Sequence, residues 1–237
     1  MPLKLSYISL FPEMISHAMS HSIMSRAQEA GLVSIETTDL RQFGEGNHKT
    51  VDDSPFGGGP GMVIKPNIMG AAIESVSGFQ TARKIIFEPW GVPFNQEKAQ
   101  ELAQEDHLIF ICGHYEGIDG RVTDYYDCET ISIGGFVLTG GELPALMVSD
   151  SIVRLLQGSL GNPESLQADS HSDGLLSIPT FTRPWDWNGL TPPEILRSGH
   201  HAAIEKWHRI EKLKATKNLR PDIFSRLNLP KSDLDLL

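Results

Sequence analysis

Two glycine-rich segments constrain this chain more than any other feature: Cys112-Gly113-His114-Tyr115-Glu116-Gly117-Ile118-Asp119 and Ser132-Ile133-Gly134-Gly135-Phe136-Val137-Leu138-Thr139-Gly140-Gly141-Glu142. Each begins where a short β-branched apolar run ends, residues 107–111 and 130–133. That is the layout of two adjacent strand ends carrying ligand-binding loops. Glycine has no Cβ, so backbone N–H and C=O groups there approach a ligand closely. The pair predicts one pocket built mainly from main chain.

The pattern around these loops alternates. Residues 4–10 read as a strand, and Pro12 opens a helical stretch with Met14, Ile15, Ala18 and Met19. Residues 25–30 continue helically until Gly31. Residues 32–40 read as a second strand, and residues 44–61 as a long loop ending in Gly57-Gly58-Gly59-Pro60-Gly61. Loops of that length in a compact domain are more often functional than idle. A helix at 66–76, a strand at 84–87, a helix at 95–104 capped by Asn95, and strands at 107–111 and 131–133 follow. Residues 144–156 read as an amphipathic helix with Leu146, Ile152, Val153 and Leu156 apolar. Such alternation predicts an α/β fold with a largely parallel sheet and its ligand at the carboxyl ends of the strands. Residues 158–176 lack periodicity and read as a linker. Proline-rich turns, a basic helix at 201–216 and a short helix at 221–227 close the chain.

With 237 residues, 40% hydrophobic and 21% charged, the chain has room for a real core. Two cysteines, Cys112 and Cys128, make neither a disulfide framework nor a zinc site and fit a reducing cytoplasm. The N-terminal apolar run is too short for a signal peptide or a membrane span. A net charge of −10 argues against indiscriminate nucleic-acid binding. Residues 191–220 depart from that balance: Arg197, Lys206, Arg209, Lys212, Lys214, Lys217 and Arg220 face only Glu194, Glu205 and Glu211. This reads either as a solvated helix face or as a local phosphate-binding surface.

Ordered blocks run along the whole chain. Besides the two glycine loops they are Ser9-Leu10-Phe11-Pro12-Glu13-Met14, Thr50-Val51-Asp52-Asp53, Gly57-Gly58-Gly59-Pro60-Gly61-Met62, Asp169-Ser170, Gly174-Leu175-Leu176, Thr182-Arg183-Pro184 and Ser198-Gly199. In this order they resemble the bacterial tRNA (guanine-N1)-methyltransferases of the TrmD type, in the SPOUT superfamily. The resemblance implies three parts. Residues 1–160 would form a knotted α/β domain whose deep trefoil knot binds S-adenosylmethionine. Residues 161–176 would form a flexible linker, and residues 177–237 a helical tRNA-binding domain. It also implies a homodimer with its active site at the subunit interface, and methylation of guanosine at tRNA position 37.

Methyl transfer from a sulfonium depends on an in-line approach, so positioning supplies much of the rate. Guanine N1 carries a proton, which a base must remove while a donor stabilises charge on O6. The resemblance assigns the base to Asp169 and the assisting group to Arg154, with Asp173 the alternative base. It places the methyl donor against Pro89 and Gly91, against Gly113, Tyr115 and Glu116, and against Ser132, Ile133, Gly134, Gly135, Phe136, Val137, Leu138, Gly140, Gly141 and Pro144. It places Gly59 close to the target base, while Asp52 and Asp53 read as base-edge or domain contacts and Arg183, Lys206, Arg209 and Lys212 as candidate contacts to the RNA backbone. Magnesium is also implied, although no octahedral oxygen site is legible.

Several pocket positions depart from the family pattern. His114 replaces an arginine, Gly135 and Phe136 replace an aspartate and a tyrosine, and Thr139 replaces a serine. Glu88-Pro89-Trp90-Gly91 stands where the family has Ser-Pro-Gln-Gly, and His171 replaces a phenylalanine. Losing an arginine and a carboxylate together reads as a compensated swap or as weaker donor affinity. A noncatalytic RNA-binding relative is the alternative function, against which the presence of Arg154 and Asp169 argues. No GK[ST] follows the glycines, excluding a P-loop, and the nine histidines lack ligand spacing.

Overall fold

The computed structural model describes residues 1–162 and 169–237. The chain divides into two compact units, Met1–Gly161 and Asn162–Leu237. Among the described residues no helix is long and apolar enough to cross a membrane.

The first unit is built on five strands: β1 (Leu3–Ser9), β2 (Val33–Asp39), β5 (Arg83–Pro93), β6 (His107–Ile111) and β7 (Glu129–Ser132). They lie in the order β2-β1-β6-β5-β7, and every pairing is parallel. A fully parallel sheet needs both faces covered, and the period of two along each strand supplies two apolar faces. Leu5 and Tyr7 of β1, Phe110 of β6 and Ile85 of β5 face one core cluster. The next residues along, Ile8, Ile111 and Ile86, face the other. The first cluster is completed by helices α1 (Pro12–Met19), α2 (Ser22–Glu29), α4 (Gln96–Leu102) and α6 (Glu142–Val153). The second is completed by α3 (Pro66–Ser75) and α5 (Arg121–Tyr125). Local signals set the ends: Asn95 accepts a hydrogen bond from Lys98 N at 2.8 Å, capping α4.

Four sequence expectations change. The strand at 84–87 extends to Pro93, but with an interruption: Phe87 and Val92 both pair with Ile131, so residues 88–91 loop out of the sheet. The loop at 44–61 contains β3 (Asp52–Asp53), which pairs antiparallel with β4 (Val63–Ile64). β7 ends at Ser132, leaving Ile133 in the following loop. Finally, α6 starts at Glu142 and is not amphipathic. One side is in the core, while Leu143 and Met147 on another remain 46% and 50% exposed.

The second unit contains a 3₁₀ turn at Glu194–Arg197, then α7 (His201–Leu219), α8 (Pro221–Phe224) and α9 (Lys231–Leu234). The expected helix at 221–227 is thus shorter, and α9 was not foreseen. Of the segment expected as a linker, residues 163–168 lie outside the described residues. Residues 169–176 form a turn tied to α7, with Leu176 N donating to Thr216 Oγ1 at 2.9 Å and Leu175 fully buried.

Candidate active site

The carboxyl ends of β5, β6 and β7 carry three loops that enclose a cavity of about 300 Å³. Glu88, Pro89 and Trp90 come from the excursion of β5, Gly113 to Gly117 from the loop after β6, and the segment around Ile133 to Gly141 from the loop after β7. The glycines allow this closeness. Gly141 N donates to Gly113 O at 2.8 Å, and a Cβ on Gly141 would sit 2.7 Å from Cys112 Cα. His114 and Gly140 form an antiparallel bridge between the same loops. A Cβ on Gly91 would lie 2.6 Å from Ile131 N, so the excursion returns to the sheet only with glycine there. Tyr115 adopts the left-handed region at φ 60°.

Most of the cofactor positions expected from sequence line this cavity: Pro89, Gly113, Tyr115, Glu116, Ser132, Ile133, Gly134, Phe136, Val137, Leu138, Gly140, Gly141 and Pro144. Gly91 and Gly135 do not line it. Gly91 serves the close packing on Ile131, and Gly135 has no neighbour within 4 Å of a Cβ position. Sequence reasoning missed Phe87 and Ile131, whose strand periodicity carries no mark of a site. It also left out Glu88, Trp90 and His114, although each was a visible departure from the family pattern.

A buried polar cluster underlies the loops. Glu142, 3% exposed, is the first residue of α6, where the helix dipole favours a carboxylate, and it accepts from Ser9 Oγ at 2.6 Å. His114 Nδ1 stands 3.8 Å from Glu142 Oε2 and is buried without a hydrogen-bond partner among the described residues. A Cβ on Gly140 would strike both atoms. Burial, then the nearby Glu142 carboxylate, raise the Cys112 thiol well above its ordinary value, so it is no nucleophile here. Burial also raises the Glu88 carboxyl.

The glycine loop at residues 57–61 joins this site. Gly57, Gly58, Gly59 and Gly61 all have positive φ. Glu116 N donates to Met62 O at 2.9 Å and Ile64 N to Gly117 O at 3.0 Å, while the Glu116 side chain fills the space above Gly61. Gly59 has nothing within 4 Å of a Cβ position. Asp52 pairs with Ile64 beside this loop. A larger hollow of about 780 Å³, lined by Arg83, Lys84, Cys128 and Glu129, lies at the opposite, amino ends of the strands. It is the wrong end of a parallel sheet for a ligand site.

A profile of the family described as tRNA (Guanine-1)-methyltransferase TrmD matches residues 3–226. The chain belongs to this family. It is 47% identical over 235 residues to proteins named tRNA (guanine-N(1)-)-methyltransferase from Staphylococcus aureus strains MRSA252, Newman and USA300, covering 99% of this chain and 96% of each of theirs.

The two catalytic positions expected for a TrmD family member fall in different units. Arg154 is the C-cap of α6, and its carbonyl accepts from Ser159 Oγ at 2.9 Å. Asp169 belongs to the second unit, where its carbonyl accepts from Ser172 Oγ at 2.7 Å. The alternative base, Asp173, is occupied structurally: it accepts from Arg209 Nη1 at 2.7 Å and from Leu175 N at 3.1 Å. Arg209 is likewise engaged, since its guanidinium also reaches Asp233. Those two carboxylates engage its charge within the second unit. Lys206 and Arg183 are exposed. Among the described residues no group of three or more His, Cys, Asp or Glu is placed to hold a metal ion.

Proposed function

We propose that this protein is a tRNA (guanine-N1)-methyltransferase that transfers a methyl group from S-adenosylmethionine to N1 of guanosine 37 in tRNA. The observation that carries the reading is the three-loop pocket at the strand ends of a chain matching the TrmD family from residue 3 to 226. When bound, S-adenosylmethionine supplies an electrophilic methyl group on a sulfonium.

The pocket suits that molecule. The Gly113 N–H and main-chain groups of Gly140 offer hydrogen bonds to adenine and ribose, Gly141 ties the two loops together, and Ile133 and Leu138 offer apolar walls. Asp169 accepts the N1 proton, and Arg154 donates to the guanine O6 as charge develops there. Gly59 and Asp52 lie on the face that receives the flipped base, and Lys206 and Arg183 contact the tRNA backbone.

The same reading makes the loops of residues 87–141 a deep trefoil knot and the protein a cytoplasmic homodimer. Exposed Leu143 and Met147 of α6, with Met14 of the adjoining α1, support an apolar subunit contact. Two buried free cysteines suit a reducing compartment.

The test is methyl incorporation from labelled S-adenosylmethionine into tRNA carrying guanosine or adenosine at position 37. Incorporation is expected with guanosine only. Asp169→Ala should abolish turnover while changing donor affinity by no more than about twofold. Mixed Arg154→Ala and Asp169→Ala subunits should regain activity. Folded wild-type protein that binds tRNA without methylating it would favour the noncatalytic relative instead.

A further inference from the structure

Charge separates this pocket from an ordinary nucleotide site. Two carboxylates, Glu88 and Glu116, line it, and among the described residues no lysine or arginine does. Glu116 is laid against Gly61, at the junction with the glycine loop of residues 57–61. Glu88 is placed differently. It rides the excursion of β5 out of the sheet, and its Oε1 lies 3.7 Å from the position of a Cβ on Gly117, so it spans from the third loop to the first. Gly117, at φ +111°, leaves that space open.

Among the described residues nothing neutralises Glu88. Among the described residues its carboxylate makes no hydrogen bond or ion pair, and partial burial alone raises its pKa. A half-buried carboxylate without a partner is costly, and a positive charge within about 4–6 Å restores its ionised form. The pocket therefore carries an unmatched negative group facing its interior, and the matching charge has to arrive with the ligand.

We propose that Glu88 is a specificity-determining residue that pairs with a cationic group of the methyl donor, its ammonium or its sulfonium. This rests on the pocket being the S-adenosylmethionine site. The family's serine at this place offers a hydroxyl, whereas this chain offers a full charge. Glu88 thereby supplies attraction for the donor from the third loop, independently of Glu116.

Calorimetric titration with three probes tests the assignment. S-adenosylmethionine carries both cations, S-adenosylhomocysteine only the ammonium, and 5′-methylthioadenosine neither. Glu88→Gln should weaken S-adenosylmethionine binding about tenfold, the size expected for losing one charge-assisted contact. Binding of 5′-methylthioadenosine should stay within about twofold of wild type, because only the adenosine part is read. An equal loss for S-adenosylhomocysteine identifies the ammonium as partner, and a smaller loss identifies the sulfonium. Glu88→Asp, which keeps the charge, should recover part of the affinity and covers the case in which the glutamine variant folds poorly. Unchanged S-adenosylmethionine affinity in Glu88→Gln, or an equal loss for all three probes, overturns the role of Glu88 and leaves the pocket assignment standing. Failure of the wild-type protein to bind any probe overturns the pocket assignment itself.

Discussion

The two units hold themselves together by different means. In Met1–Gly161 a parallel sheet is sealed on both faces by apolar side chains, and the loops above it are fastened backbone to backbone. In Asn162–Leu237 the only fully buried apolar side chains among the described residues are Leu175 and Leu213. There Arg209 gathers Asp173 and Asp233, and Lys212 adds a contact to Asp173 at 3.5 Å. The difference teaches where precision is built. A pocket made of main chain needs a framework that cannot yield, and close packing provides it. In the second unit cations such as Lys206 and Lys214 stay exposed, while the internal ion pairs fix its helices.

The contrast can be broken most severely at Gly141. Its φ of −82° suits any residue, but a Cβ would press on Cys112 Cα. Gly141→Val should weaken S-adenosylhomocysteine binding by about 100-fold and lower stability by about 1–3 kcal/mol, measured by calorimetry and chemical unfolding. Retained binding would mean that the loops are less tightly joined than their backbone contact implies. Asp233→Asn, in the other unit, tests the ionic side. Losing the main partner of Arg209 should cost about 1–3 kcal/mol locally, seen as faster amide exchange along α7, with donor affinity unchanged. Equal weakening in both units would show that they are not independent in stability. The smallest effect is expected from Lys206→Ala. It should raise the KM for tRNA about two- to threefold and reduce the salt-dependence slope by about one, without altering unfolding. A change in unfolding midpoint would reassign Lys206 to the fold.

Legibility followed the range of the interactions. β6 was readable because its run, residues 107–111, is bounded by a polar segment and by Cys112-Gly113. The excursion of β5 was not, since Glu88-Pro89-Trp90-Gly91 breaks the period of two and looks like the end of a strand. The exposed side of α6 escaped notice because Leu143 and Met147 are as apolar as the buried residues beside them. Periodicity cannot tell a core face from a surface intended for another chain. That Asp173, four positions after Asp169, is held by Arg209 and Lys212 became visible only in the tertiary structure, because its partners lie 36 and 39 positions away.

By itself the sequence determined the parallel α/β character, the two glycine loops and the family to which they belong. These depend on neighbours in the chain: alternation along strands, caps, and glycines where no side chain fits. Only the tertiary structure decided that β5 resumes its pairing after residues 88–91, that Ser9 supports Glu142 across 133 positions, and that Glu88 lines the pocket without a partner among the described residues. The reason is physical. Local pattern sets which face of a strand is apolar, but strand order sets which loops meet, and that order follows from packing the whole sheet at once.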